Sequence, residues 1–204
     1  MPECYVNFVT ALGHMHSCFR GDGEDVLLRI LKTSTEMLQD RGMTEVVRAS
    51  NVCHAIESMD TPVVRGSDAE ELRVITLFIH PEERVGVKHV RTILEKYPSH
   101  LNIIVSLEGP TPFTRKECER KSIQFFFARD LCVNKTKHCL VPRHEVVDEK
   151  DLPSGVTLTS LPRIPDSDPI VQYYNFHPGT VVKVQRVFGG HEPIPYYRLV
   201  QATT

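Results

Sequence analysis

The chain has 204 residues, of which 41% are apolar and 25% are charged, and its formal net charge is −2 at pH 7. These values are close to the average of globular domains, and the length accommodates one large or two small domains. The near-neutral charge excludes a protein that coats nucleic acid by bulk attraction, so any such contact needs a local patch. The six cysteines include no Cys-x-x-Cys pair and do not suggest a disulfide framework. A reducing compartment is therefore favoured.

The first residues predict a flexible tail over residues 1–21. A mildly apolar patch there has no basic residues before it, so we expect no secretory signal, and no apolar run in the chain approaches the roughly 20 residues of a membrane span. Within this tail, His14, His16 and Cys18 alternate as ligands on one face of a strand would. A closed zinc site needs four ligands, so we interpret them as tail residues and predict no metal site.

Two helices are predicted after this tail. Apolar residues recur at helical spacing over residues 22–42, with acidic residues in the first turn and a glycine at the exit. A second helix is predicted over residues 44–59, with Val46, Cys53 and Ile56 as candidates for its inward face. These two helices should pack together near the N-terminus.

The next part of the chain alternates between strand and helix patterns. Three β-rich or apolar runs and two helical patterns follow one another, at residues 72–80 (strand), 85–97 (helix), 101–107 (strand), 111–121 (helix) and 123–131 (strand). This order is typical of α/β folds and favours a small sheet with parallel pairing. We therefore predict one α/β domain over residues 22–133.

The character of the chain changes at about residue 134. Prolines are frequent and helical periodicity is lost, which predicts a second, β-rich domain over residues 134–204. Two strand-like runs, residues 179–188 and 194–201, predict a hairpin. Before them, Asp168 and Pro169 form a helix start, because a carboxylate can cap the helix and proline suits its first position.

The start of the helix at residues 111–121 has two candidate caps. Thr111 can cap it with Pro112 in the first turn, or Thr114 can cap it with Glu117 as a capping box. The sequence leaves both open.

Either cap brings a helix N-terminus and two cations to the end of a buried strand. The positive end of the helix dipole and the side chains of Arg115 and Lys116 would meet there, as at phosphate sites. The alternative is a solvated helix on which Glu117 and Glu119 offset the cations.

An enzymatic interpretation has less support. No phosphate-binding loop, nucleophile elbow or His-Glu-x-x-His motif is present. A metal-dependent nuclease would need an acid and a lysine converging on one ion. Glu119 and Lys121 are two residues apart in the predicted helix, where they point in different directions.

Several motifs of the C-terminal third resemble the fifth-largest subunit shared by the eukaryotic nuclear RNA polymerases. They follow the order of that family, at residues 140–144 ("LVPRH"), 161–164 ("LPRI"), 168–169 ("DP"), 179–186 ("GTVVKVQR") and 196–200 ("YYRLV"). Upstream, "FIHPEERVGVKHVRTIL" and "LNIIVSLEGPTPFTRK" are similar to the jaw domain of the same family. The resemblance covers about residues 26–201.

The resemblance implies a fold of class α+β or α/β, in which an α/β jaw with a small mixed sheet precedes a compact, β-rich assembly domain. Archaeal polymerases have a counterpart of that assembly domain alone. The resemblance also implies a subunit that is not an enzyme by itself and has no cofactor. Its function would be to form the lower jaw near downstream DNA during transcription and to dock on the largest polymerase subunit. It would be neither a membrane protein nor a homo-oligomer, and it would lie in the nucleus, or in the nucleolus if it serves polymerase I alone.

The resemblance further implies site residues. DNA would be contacted through its backbone by four residues of the helix start: Pro112, Thr114, Arg115 and Lys116. The subunit interface would lie on the family motifs of the assembly domain: Leu140, Val141, Pro142, His144, Pro162, Arg163, Ile164, Asp168, Pro169 and Tyr173. A nuclease-like enzyme and an assembly scaffold without DNA contact remain alternative hypotheses.

Three departures point to a divergent member or a paralogue. The segment 148–160 is shorter than the family's helix and is interrupted by Pro153 and Gly155. Gln172 stands where the family has arginine, and the hairpin loop differs at residues 187–192. We expect the family's helix to be truncated or lost here.

Overall fold

The computed structural model describes residues 3–15, 23–59, 61–70, 73–81, 84–121, 123–186 and 194–203. The chain divides into two compact units, Met1–Val133 and Asn134–Thr204. The first contains a five-stranded sheet and the second a four-stranded sheet, so the α+β class is confirmed. Among the described segments, every helix is too short or too polar to cross a bilayer.

The first unit contains six helices and five strands among its described residues. The helices are α1 (Glu3–Met15), α2 (Gly23–Asp40), α3 (Val52–Ser58), α4 (Val87–Lys96), α5 (Pro112–Arg120) and α6 (Ala128–Leu131). The strands are β1 (Glu45–Arg48), β2 (Val64–Asp68), β3 (Arg73–Ile79), β4 (Leu101–Ser106) and β5 (Gln124–Phe127).

The sheet of this unit is mixed, with the strands in the order β1-β2-β3-β4-β5. Strands β3, β4 and β5 are parallel, and α4 and α5 form the two crossovers between them. Parallel neighbours need such long connections, because a tight turn can only join antiparallel strands. The carboxyl ends of the three parallel strands therefore lie at one edge of the sheet, and α5 begins at that edge.

The sheet is covered on both faces. On one face, Phe78 of β3 and Ile104 of β4 pack in a cluster with Val90, Ile93 and Cys118 of α4 and α5. On the other face, helix α2 packs against strand β2. Burial of both faces explains why β4 is an almost continuous apolar run.

Strands β1 and β2 extend the sheet with antiparallel pairs, and β2 was not predicted from the sequence. Its centre is Gly66, a residue that is depleted in strands. A Cβ atom at this position would lie 2.7 Å from Cγ of Met43 and 2.9 Å from a methyl group of Leu38. Gly66 is therefore needed for close approach of the helix layer, and the same glycine weakened the strand pattern.

Two predictions for the N-terminal part were wrong. The expected flexible tail contains helix α1, because Phe8 and Leu12, four residues apart, share one helix face and are buried. The expected second helix is a strand in its first half, and α3 begins only after Asn51, whose side chain accepts a hydrogen bond from the backbone N–H of His54 at 3.0 Å.

Two features singled out in the sequence lie outside the described residues. The first is the pattern of histidine and cysteine in the N-terminal part: His16, Cys18 and the side chain of His14 are not described. The hairpin loop at residues 187–192, where the sequence departs from the family pattern, is the other.

The second unit contains one α-helix and four strands among its described residues. They are β6 (Arg143–Val147), β7 (Arg163–Pro165), α7 (Pro169–Tyr174), β8 (Val181–Arg186) and β9 (Ile194–Gln201). The sheet order is β6-β8-β9-β7, and β8 and β9 form the predicted antiparallel pair. Helix α7 packs on one face through a core of Ile164, Val171, Val182, Val184 and Val200.

Helix α7 begins as predicted. The carboxylate of Asp168 accepts hydrogen bonds from the backbone N–H groups of Ile170 at 2.9 Å and Val171 at 3.4 Å, and Pro169 occupies the first position. The helix ends at Asn175, whose φ of 58° lies in the left-handed region that asparagine tolerates. Between β6 and β7 the described chain forms a 3₁₀ turn at Glu149–Asp151 and no α-helix, as the shortened segment predicted.

Candidate nucleic-acid interface

Thr111 is the cap of helix α5, so one of the two alternatives is resolved. Its hydroxyl oxygen accepts a hydrogen bond from the backbone N–H of Thr114 at 3.3 Å and lies 2.8 Å from the Thr114 hydroxyl oxygen. Glu117 forms no capping box with Thr114, because Thr114 lies inside the helix and its N–H donates to Thr111; the Glu117 carboxylate accepts from Arg120 at 3.4 Å. Thr114, predicted to contact DNA, is fully buried and instead fixes the first turn.

The amides at this helix start are largely used within the chain. Pro112 has no N–H, the N–H of Thr114 bonds to the cap, and the N–H of Arg115 donates to the Thr111 carbonyl at 2.9 Å. The geometry therefore differs from a phosphate site made of several free backbone donors. Attraction for an anion must come mainly from side chains.

The side chains that supply this attraction line a shallow groove of about 480 Å³. It is formed by Pro110, Pro112, Arg115, Lys116 and Glu119. Arg115 and Lys116 are exposed, and neither forms an ion pair with a carboxylate of the described residues. Two unpaired cations therefore outnumber the single carboxylate in this groove, which favours an anionic ligand.

Farther along α5 the charges are balanced. Arg120, the last residue of α5, pairs with Glu117 one turn earlier in the helix. Cys118 faces the core, and burial, reinforced by Glu117 and Glu119, raises the pKa of its thiol to about 11. At neutral pH this thiol stays protonated and packs as an apolar group.

Phe113 was not identified from the sequence. Its side chain is 73% exposed, although it lies between Pro112 and the two cations. A large aromatic side chain left in solvent beside unpaired cations is typical of surfaces that contact a partner. The signal was available in the sequence, because position 113 points away from the core if Thr114 and Cys118 point into it.

Glu119 and Lys121, considered for a nuclease, are both exposed. Lys121 caps the C-terminal end of α5, and its backbone N–H donates to carbonyl groups of the final turn. Within the described residues, no group of three or more histidine, cysteine or acidic side chains is placed to hold a metal ion.

The ten predicted interface residues of the second unit separate into surface and core. Four are exposed, namely Leu140, Pro162, Arg163 and Pro169, and four are partly buried, namely Val141, Pro142, His144 and Asp168. Leu140 is the most open, at 83%. The other two, Ile164 and Tyr173, are buried, so as core residues they cannot present side chains to a partner.

Ile164 and Tyr173 pack in the interior of the second unit and hold its surface residues in place. Ile164 belongs to the core beneath α7. The hydroxyl of Tyr173 accepts a hydrogen bond from the side-chain amide of Asn134 at 3.1 Å, which ties α7 to the first residues of this unit.

His144 is held beside the same surface. One ring nitrogen, Nδ1, lies 2.7 Å from the Pro142 carbonyl oxygen. Burial lowers the pKa of His144, against the raising effects of the Pro142 hydrogen bond and of Asp168; Arg198 and Arg186 lower it further. The neutral ring is therefore the form that the folded state favours.

Three exposed apolar side chains of the sheet were also missed. Val146 of β6 is paired with β8, and Tyr196 and Ile194 lie on the same face of β9, as the strand register shows. All three side chains are exposed. The guanidinium carbon of Arg186 lies 5.4 Å from the centroid of the Tyr196 ring. Alternation along each strand predicts such a face, but only the register identifies which residues share it.

Comparison with known proteins agrees with this architecture. The family model for the RNA polymerase Rpb5 C-terminal domain matches residues 133–200. A Dictyostelium discoideum protein, named subunit rpabc1 of DNA-directed RNA polymerases I, II and III, is 30% identical over 185 residues, which cover 80% of this chain and 92% of the relative. The Caenorhabditis elegans subunit RPABC1 of the same polymerases is 26% identical over 188 residues, 78% of this chain and 88% of the relative.

An archaeal protein matches a shorter part. The RNA polymerase subunit Rpo5 of Methanococcus maripaludis is 34% identical over 74 residues, which cover 34% of this chain and 95% of the relative. The eukaryotic matches therefore span both units, and the archaeal match has the length of one. Together with the family match over residues 133–200, they show that this chain belongs to the Rpb5 family of DNA-directed RNA polymerase subunits.

Proposed function

We propose that this chain is a non-catalytic subunit of a nuclear DNA-directed RNA polymerase that contacts downstream duplex DNA through the start of α5. The first unit acts as the jaw and the second docks on the largest subunit. The observation that carries the DNA contact is the groove at the start of α5, where Arg115 and Lys116 are exposed and unpaired. The family membership supplies the polymerase context.

The chemistry of the groove suits the phosphate backbone and not base edges. Flexible cations of a surface helix neutralise phosphates whatever the sequence, and they release counterions as they bind. Pro110 and Pro112 restrict the backbone on either side of Thr111. The cations are therefore presented from a stiff turn, and a stiff turn loses little conformational freedom on binding.

Docking of the second unit is supported by its exposed apolar surface. Val146, Ile194 and Tyr196 expose apolar side chains on the sheet, and Leu140 is 83% exposed in the turn before β6. Such exposed apolar groups become favourable when a partner covers them. A protein partner, the largest polymerase subunit, is the occupant we propose.

The proposal can be tested on polymerase purified through a tag on this subunit. Recovery of the largest subunit with the tagged chain tests docking. On the purified complex, Arg115→Ala combined with Lys116→Ala should reduce the slope of log affinity for downstream DNA against log salt by about 1.8, since each phosphate contact contributes about 0.9.

The matched control for this test is Arg120→Ala. It removes an equal type of charge from the same helix, but from a residue already paired with Glu117, and it should leave the slope unchanged. An unchanged slope in the double variant would contradict the DNA contact and leave an assembly scaffold as the function.

A further inference from the structure

A third unpaired cation follows strand β5 at the same edge of the sheet. Helix α6 begins directly after Phe127, and Arg129 is exposed in its first turn. The guanidinium carbon of Arg129 lies 4.6 Å from the centroid of the Phe127 ring. No carboxylate of the described residues forms an ion pair with Arg129.

The ring beneath Arg129 is itself fixed. Phe127 packs edge-on against Phe125, with ring centroids 5.8 Å apart. It also lies under the connection between β4 and α5, because a Cβ atom added at Gly109 would be 3.5 Å from the Phe127 ring. The residue after Gly109 is Pro110, which lines the groove of Arg115 and Lys116. One short loop therefore separates Arg129 from that groove.

An arginine that stacks on an aromatic ring is preorganised to bind phosphate. A guanidinium that lies over a ring uses its flat face for the contact and keeps its N–H groups at the rim, where they can bind two phosphate oxygens. Restricting the long side chain in advance also reduces the entropy lost on binding. Arg129 thus combines an unpaired charge, exposure and a prearranged position.

A second arginine at this edge lacks these properties. Arg84, beyond the end of β3, donates to the Glu108 carboxylate at 3.0 Å. The charge of Arg84 is already offset by Glu108. Removing Arg84 should therefore change the counterion release on DNA binding very little. Arg84 is therefore a matched control.

We propose that Arg129, held on Phe127, is a further contact to the phosphate backbone of the same downstream duplex. The inference rests on the proposed function and extends the DNA-contacting surface from the start of α5, across the 107–111 connection, to α6. The ligand remains duplex DNA, and the contact carries no base specificity.

The test uses assembled polymerase with the variants Arg129→Ala, Arg129→Lys and Arg84→Ala. Arg129→Ala should lower the salt slope of downstream DNA binding by about 0.9, the share of one phosphate contact. Arg129→Lys keeps the charge, so the slope should be retained, while affinity falls because lysine cannot bind two oxygens in one plane. Arg84→Ala should leave the slope unchanged.

The outcomes separate the inference from the proposed function. If the double variant at Arg115 and Lys116 lowers the slope but Arg129→Ala does not, the inference is overturned and the proposed function stands. If neither changes the slope, both are overturned. An equal loss with Arg84→Ala and Arg129→Ala would also overturn the inference, since it would show a general charge effect. Circular dichroism and co-assembly check that each variant is folded.

Discussion

Helices α5 and α7 both start with a capping side chain followed by proline, but their surroundings differ. Helix α5 begins with Thr111 and Pro112, and α7 begins with Asp168 and Pro169; in both, a side-chain oxygen caps the first turn and proline takes the first position. The cap of α7 is a carboxylate, and two N–H groups donate to it. The cap of α5 is neutral, and exposed cations follow it.

This difference separates a structural helix start from one that can bind an anion. In α7 the negative cap already offsets the helix dipole, and the residues behind it, Ile170 and Val171, are buried. In α5 the dipole and the two cations face solvent with no acid at the cap. The pattern of a capping residue followed by proline therefore predicts the helix, whereas the charge at the cap decides what the helix start can bind.

The largest effect is expected from removing the carboxylate cap. Asp168→Ala should destabilise the second unit by about 1 kcal/mol, and up to roughly 2, the usual cost of losing a cap. Native-state hydrogen exchange of the β8 amides in the full chain measures this. Asp148→Ala is the matched control, because Asp148 precedes a 3₁₀ turn without a side-chain cap bond. Equal effects of the two changes would contradict the assigned role of Asp168.

A smaller effect is expected from making α5 resemble α7. Thr111→Asp keeps a good cap but puts a carboxylate beside Arg115 and Lys116. Affinity of the assembled polymerase for downstream DNA should fall about two- to fivefold at low salt, corresponding to a charge effect of about 0.3–1 kcal/mol near a helix end. Thr111→Ser keeps both the cap and the neutral charge and should bind normally. Equal affinity of the two variants would show that no phosphate lies at this helix start.

The smallest effect concerns pH and the docking unit. Burial lowers the pKa of His144 in the folded state. In the unfolded chain the pKa is the ordinary histidine value of about 6.5, so below that pH the unfolded chain binds more protons than the folded chain. Stability of the second unit should therefore be complete above that value and decrease as pH falls through it toward the folded pKa. NMR titration of the His144 ring tests this; a pKa at or above 6.5 would contradict the desolvated position.

Regular local patterns made much of the fold predictable. The run at 72–80 became β3, and the parallel strands and their crossover helices followed from alternation of strand and helix patterns. Helix α1 was missed because the burial of Phe8 and Leu12 depends on packing with α2. Strand β2 was missed because Gly66 serves a close contact that only the tertiary structure defines.

The candidate site was predictable in part for the same reason. Arg115 and Lys116 were found from a helix start at the end of a strand, which is a local pattern. The burial of Thr114, Ile164 and Tyr173 depends on neighbours distant in sequence, so a motif that contains both core and surface residues cannot separate them. Arg129 was missed because its position depends on the ring of Phe127.

The DNA contact at α5 is tested most directly by cross-linking from Phe113. Its exposed ring can be replaced with the photoreactive analogue p-benzoylphenylalanine, and Leu28, which is 59% exposed on α2, provides the control position. In assembled polymerase on a template, irradiation should cross-link position 113 to downstream duplex DNA and should not cross-link position 28. No DNA adduct at position 113, or equal adducts at both positions, would contradict the account.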